Sequence, residues 1–176
     1  MADRTSPLPW LYKAFFLWLE PVATAVGAYY AWLRQHDYMH LTHSPTAATT
    51  TTTSPLLASA GIISTRESIV LNQLANMYLV FALNEALVLR ATSDLRATSD
   101  LRVWRVFLLG LLIADFGHIY SVCPLGGLDV YYRFWLWNSM YWGNLGFVYI
   151  GASMRIAFLL GVGLPSTNDG RKIRAE

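Results

Sequence analysis

The sequence predicts an all-α fold: one integral membrane domain, residues 1–176, built as a bundle of four transmembrane helices with both termini cytoplasmic. Three observations predict it. The chain is 55% hydrophobic and only 14% charged, with a mean hydropathy of +0.36, where a soluble domain carries about a quarter charged residues. Four apolar stretches, 12–33, 69–89, 103–123 and 142–162, each approach the roughly 20 residues that take an α-helix across a bilayer core of about 30 Å. None shows the recurring polar stripe of a soluble surface helix.

The first stretch contains "VATAVGA", whose small residues resemble a signal-peptide cleavage site. Glu20 and Pro21 interrupt its apolar run, however, and Arg4 and Lys13 lie too far from a compact apolar core, so a retained helix is expected. A loop over 35–68 follows on the lumenal side. It contains "SPTAATTTTTSP", a low-complexity run with no means of building a core. Before that run, His36, His40 and His43 recur at helical spacing. They lie outside the membrane without an accompanying set of acidic ligands, so no metal is assigned.

Between the second and third stretches the chain repeats itself as "ATSDLRATSDLR". A six-residue insertion inside a helix would turn everything beyond it by about 240°, so the repeat belongs to a loop or a helix end. Thr98 or Ser99 then suits the N-cap of the third helix, with Asp100 in its first turn. The loop before the fourth stretch, "GGLDVYYRFWLWNSMYW", carries seven aromatic residues. Such rings settle at headgroup level as an interfacial belt, or else they close a cavity as a lid.

Four crossings place Arg4, Lys13, Arg90, Arg96, Arg102, Arg105, Arg171, Lys172 and Arg174 on one side and only Arg34, Arg66 and Arg133 on the other. The richer side is cytoplasmic by the positive-inside rule. The single cysteine, Cys123, permits neither an intrachain disulfide nor a thiolate cluster. A net charge of +2 gives no footprint for nucleic acid.

Ionisable groups within membrane helices face the bundle interior and mark functional sites. Here they are Glu20, Glu85, Asp115, His118 and Arg155, with Asn84 and Asn144 among the amides. By helical rise, Glu20 lies about 12 Å and Arg155 about 10 Å from the cytoplasmic end, with Asp115 about 18 Å and His118 about 22 Å in. Glu20, Arg155 and Asp115 are therefore expected to pair, and the pairing serves structure or chemistry alike. Glu85, at about 7 Å, is expected at the interface beside Arg90. Asp115 and His118, at i and i+3, share a helix face, so the histidine is expected to hydrogen-bond the carboxyl. A carboxyl in low dielectric favours its neutral form, which can protonate an epoxide or an olefin.

The sequence has no aspartate-rich diphosphate motif, no phosphate-cradling glycine loop, no Ser-His-Asp elbow and no haem or flavin signature. Side-chain acids and bases acting on a lipophilic substrate, without a cofactor, are what is left.

"FFLWLEPVATAVGAYYA", "FALNEALVLRATSDL", "LLIADFGHIYSV" and "WGNLGFVYIGASMRIAFLLGVGL" resemble a family of short fungal four-helix membrane proteins. Its type is the membrane-bound terpene cyclase of the ascofuranone pathway, from meroterpenoid clusters of secondary metabolism. The resemblance covers residues 10–164 apart from the Thr-rich run, and the doubled "ATSDLR" departs from it. It implies cyclisation of an epoxidised prenyl chain on an aromatic or polyketide headgroup. Asp115 assisted by His118, or else Glu20, would open the epoxide, and Glu85 or a water would take the terminal proton. Arg155, Asn84 and Asn144 would hold the substrate's polar part, while Trp137, Tyr141 and Trp142 would steady carbocations by cation–π attraction.

The expected partners are a lipophilic prenylated small molecule, membrane lipid and neighbouring pathway enzymes, with the endoplasmic reticulum as the expected location. A double-bond isomerase of the sterol-isomerase kind and a non-catalytic binder of lipid or a partner protein remain open beside the cyclase, because a shared fold need not mean a shared reaction.

Overall fold

The structure is a computed structural model describing residues 8–43, 63–93 and 98–164, and every regular element among them is helical. Helix α1 spans residues 10–33 as Trp10–Ala14, a π turn Phe15–Leu19 and Glu20–Leu33. Helix α2 is Gln35–His43, α3 is Thr65–Ala91 and α4 is Thr98–Gly126. After the short α5, Asp129–Tyr132, and a 3-10 turn, Phe134–Leu136, helix α6 spans residues 139–159. It too is interrupted, as Ser139–Tyr141, a π turn Trp142–Gly146 and Phe147–Leu159. At 1.5 Å per residue α1 is about 36 Å long and α6 about 31 Å. Helix α3, and α4 over Leu101–Pro124, are long and apolar enough to cross a membrane.

Local chemistry explains where these helices begin and end. Ser64 caps α3: its hydroxyl accepts from the Glu67 backbone N–H at 3.2 Å, while the Glu67 carboxylate accepts from the Ser64 N–H at 2.8 Å. This reciprocal capping box satisfies two donors that a bare helix start leaves unpaired. Helix α4 stops at Gly127, whose φ of 59° suits a residue without a Cβ. The end of α6 is a Schellman motif, with Val162 N–H on the Ala157 carbonyl and Gly161 N–H, at φ 80°, on that of Phe158.

Helix α1 packs along α3, and α4 along α6. Buried Ala28, Ala31, Ala75 and Ala82 let the first two approach closely. At one end of the bundle, here called the lower end, Tyr12, Phe16, Leu89, Trp104, Leu108 and Phe158 interlock all four long helices in one core. The Tyr12 hydroxyl also donates to the Val162 carbonyl at 2.9 Å, tying α1 to the end of α6. At the upper end α2 folds across, with Tyr38 buried against Ala31, Leu71 and Ala75. Its carbonyls at Leu41 and Thr42 accept from Asn138 Nδ2 and the Tyr141 hydroxyl.

Polarity is turned inside out. Trp18, Val22, Leu83, Leu87, Val106 and Ile113 are each more than half exposed, whereas Glu20, Glu85 and Arg155 are buried. Soluble proteins almost never bury such groups and seldom expose so much contiguous apolar surface.

Two expectations about chain organisation are corrected. The loop over 35–68 begins with helix α2 and ends inside α3, because Tyr38 finds an apolar seat and Ser64 supplies a cap. The second and third predicted helices are also shorter than the observed ones, since α3 runs four residues earlier and α4 continues through Pro124, and the fourth is shifted, running over 139–159 rather than 142–162. The Thr-rich run lies outside the described residues, as do positions 94–97 of the doubled "ATSDLR" and the capping side chains at 98–100.

Candidate functional site: a carboxyl–arginine cluster beneath a cavity

Pro21 has no N–H, so the carbonyl of Leu17, four residues back, loses its usual helical donor. Arg90 supplies one: its Nη2 donates to Leu17 O at 2.9 Å, and its guanidinium lies 4.2 Å from the centroid of the Trp18 ring. The interface pair expected between Glu85 and Arg90 is therefore absent. Arg90 serves the α1 backbone, and Glu85 turns inward with 3% of its surface exposed.

Glu20, at the end of the π turn, faces the same interior. From α6, the Arg155 Nη1 donates to Asp115 Oδ2 at 2.6 Å, and its Nη2 makes a short charge-assisted hydrogen bond to Glu20 Oε1. Glu85 borders the same interior beside Glu20, with its Oε1 and Glu20 Oε2 both without a hydrogen-bond partner. The guanidinium also sits 5.9 Å above the Phe16 ring, which separates it from the lower core. Gly151, one turn earlier on α6, leaves room for this arrangement, since a Cβ there would come within 2.7 Å of Arg155 Nη1 and 3.5 Å of Glu20 Oε1. The expected grouping of Glu20, Asp115 and Arg155 is thus present, with Glu85 as a fourth member.

Above the cluster opens a cavity of about 500 Å³, within the range of small-molecule sites. All four long helices and α2 contribute walls. Glu20, Glu85, Asp115 and Arg155 form its floor, Phe81, Leu111, Phe147 and Val148 its apolar sides, and Tyr38 and Tyr78 stand at the upper end. The two tyrosine hydroxyls are 3.2 Å apart and share a hydrogen bond. Burial pushes the Tyr38 phenol above its ordinary value, so it remains protonated.

His118 lines the cavity one turn above Asp115, beside the Asn144 backbone, but the expected hydrogen bond to that carboxyl is not made: Asp115 is engaged by Arg155, and His118 Nε2 is buried without a partner. Asn144, in the second π turn, also lines the cavity. The π turns thus fall where Glu20 and Asn144 must reach inward, a frequent use of such interruptions.

Four expected substrate contacts lie elsewhere. Asn84 is exposed on the outer face of α3, because its neighbour Glu85 points in and successive residues are about 100° apart on a helix. Trp137 donates its indole N–H to the Val130 carbonyl at 2.8 Å and packs on Trp142, whose other face is exposed. Tyr141 is buried with its hydroxyl on the Thr42 carbonyl. None of these four lines the cavity, and from the aromatic loop it is Ser139 and Met140 that do. His36 and His40 stack on each other at 6.3 Å, exposed and away from the cavity.

The aromatic residues at the cavity, Tyr30, Tyr38, Tyr78, Phe81 and Phe147, were missed by sequence reasoning. A signal was available: Tyr78 and Phe81 precede Glu85 by seven and four residues, the spacing of one helix face.

Fold and site together define a class: an all-helical protein with an apolar exterior that holds an ionic cluster inside, beneath a ligand-sized cavity. Within that class the chain belongs to the family described as "Domain of unknown function (DUF7704)", whose model matches residues 5–165. No curated protein matches the chain, and no solved structure does.

Proposed function

We propose that this protein is a multi-pass membrane enzyme of the endoplasmic reticulum that cyclises the epoxidised prenyl chain of a meroterpenoid. In this reading α1, α3, α4 and α6 all cross the bilayer, and the lower end of the bundle is cytoplasmic. The observation that carries the proposal is the placement of three carboxyl groups around one guanidinium at the floor of a cavity of about 500 Å³ with apolar sides.

One arginine cannot offset three carboxylates, and a low-dielectric interior disfavours most the one that makes no contact with the guanidinium. Arg155 binds Glu20 and Asp115 directly; Glu85 has no such contact, and its Oε1 is unpartnered. Glu85 is accordingly assigned as the proton donor, in place of the terminal base expected from sequence. Its proton goes to the epoxide oxygen, the carbon–oxygen bond opens as the neighbouring alkene attacks, and a carbocation passes along the chain. Phe81 and Phe147 offer it ring faces, and the Asp115 and Glu20 carboxylates offer it charge. Loss of a proton to a carboxylate of the cluster ends the reaction and restores the acid. Redox balance is unchanged and no co-reactant is consumed.

The test is a microsomal assay on a panel of epoxyfarnesyl-substituted aromatics, with wild type beside Glu85→Gln, Glu20→Gln and Asp115→Asn. Cyclised product from wild type and at least a hundredfold less from Glu85→Gln, at equal membrane abundance, is the expected result. Undiminished turnover by Glu85→Gln would remove it as the acid. A double-bond isomerase is the second reading, favoured by the unpartnered His118 Nε2 one turn from Asp115, an acid–base pair suited to a 1,3-proton shift. Conversion of an unsaturated sterol, with no cyclisation of the panel, would select it. Ligand binding without turnover of either substrate type would leave a carrier of lipid.

A further inference from the structure

The site is charged at its floor and polar but uncharged at its roof. Both terminal nitrogens of Arg155, the cation at the floor among the described residues, already hold carboxyl groups that compete with a ligand headgroup for its charge, although its buried Nε–H has no partner. The carboxylates there repel an anionic headgroup, and the proton on Glu85 is reserved for the reacting end of the chain. At the roof, one of the two tyrosine hydroxyls donates to the other, which leaves the second O–H free for a ligand acceptor. His118 Nε2, buried and unpartnered on α4, belongs to the lining of the same cavity and awaits a partner of its own. Between floor and roof, Phe81, Leu111, Phe147 and Val148 offer only apolar contact. Along α3 the two ends, Glu85 and Tyr78, are two turns or about 10 Å apart.

We propose that Tyr38, Tyr78 and His118 form a binding site for an uncharged hydroxyl or carbonyl headgroup, with a phenol the best match, and that the ligand's apolar chain descends from it to the carboxyl cluster. A phenol donates its O–H to the histidine nitrogen and accepts from the free tyrosine hydroxyl. Burial of those groups makes the contact selective, because a ligand without the hydroxyl leaves them unpaired. This assignment deepens the reading of the cavity as a substrate site and rests on it, but it transfers the headgroup from Arg155 to the opposite end. The orientation delivers the far terminus of the chain, where an epoxide would sit, to the acid.

The test uses the full chain in lipid nanodiscs and two probes without an epoxide, a farnesylated phenol and the same molecule with hydrogen in place of the hydroxyl. Neither can be cyclised by epoxide opening, so binding is read apart from turnover, and loss of the cyclase reading would not alter the result. Wild type is expected to bind the phenol at least fivefold more tightly, and Tyr78→Phe and His118→Leu are each expected to weaken it about fivefold while leaving the hydrocarbon unchanged. A diazirine on the phenol ring is expected to label α2 and the upper half of α3. Equal affinity of wild type for the two probes, absence of binding included, overturns the proposal. So does equal weakening of both probes by Tyr78→Phe, or ring labelling confined to the neighbourhood of Glu20 and Arg155.

Discussion

Arg155 is the residue on which the interior depends. Removing its charge alone, as in Arg155→Met, leaves the buried Glu20 and Glu85 and the half-buried Asp115 without a cation, a change that costs about 3–5 kcal/mol where a buried pair is broken. A large fall in melting temperature in detergent is expected. Because the penalty is uncompensated charge rather than lost packing, adding Glu20→Gln and Asp115→Asn to Arg155→Met should recover most of it. Failure of the triple variant to regain stability would show that packing around the guanidinium matters more. Gly151 tests the same geometry from the other side. A methyl at that position meets Arg155 Nη1 at 2.7 Å, and overpacking of this kind costs about 1–3 kcal/mol. Gly151→Ala is therefore expected to lower the melting temperature and, in the proposed reaction, turnover as well, whereas Gly110→Ala, exposed with open space around it and outside the cavity lining, should lower neither.

At the scale of elements, Pro21 and Arg90 form a unit divided between two helices. The proline strips a donor from Leu17, and the arginine, seventy-three residues later, returns it. Arg90→Gln should destabilise the protein by about 1 kcal/mol. In a Pro21→Ala background, where residue 21 can donate to Leu17 itself, the same change should cost less. A double-mutant cycle measured by thermal unfolding checks this, and strictly additive effects would refute the coupling. The unit also explains where sequence reasoning succeeded and failed. Helical rise alone placed Glu20, Asp115 and Arg155 at compatible depths, and the three do meet. The same arithmetic sent Glu85 outward because it assumed Arg90 as its partner, and nothing in a one-dimensional reading revealed that a proline on another helix would claim that arginine. Asn84 shows the complementary error: adjacency to Glu85 in sequence places it on a different helix face, so both could not point inward. Helix α2 was hidden by the low-complexity run beside it, and with it the tyrosine at the cavity roof.

At the scale of the whole molecule, what was legible was solvent preference. Low charge and four long apolar runs encode a chain that turns hydrophobic side chains outward, and the structure does so around a buried ionic interior. What was not legible was the pairing of α1 with α3 and α4 with α6, which arises from small residues and aromatic interlocking at particular crossings. The proposed orientation makes a prediction independent of any chemistry. If α1, α3, α4 and α6 all cross and the basic side is cytoplasmic, the segment between α2 and α3 is lumenal and the C-terminal segment is not. Ala47→Asn creates the acceptor Asn-Ala-Thr in the first, and Gly170→Thr creates Asn-Asp-Thr at Asn168 in the second. In microsomes able to glycosylate, the Ala47→Asn chain should gain mass that an endoglycosidase removes, and the Gly170→Thr chain should not. Modification of the second site with the first left bare would invert the topology and place the tyrosine end of the cavity toward the cytoplasm. Modification of both would require an even number of crossings between them, which would remove one of the three helices α3, α4 and α6 from the proposed set.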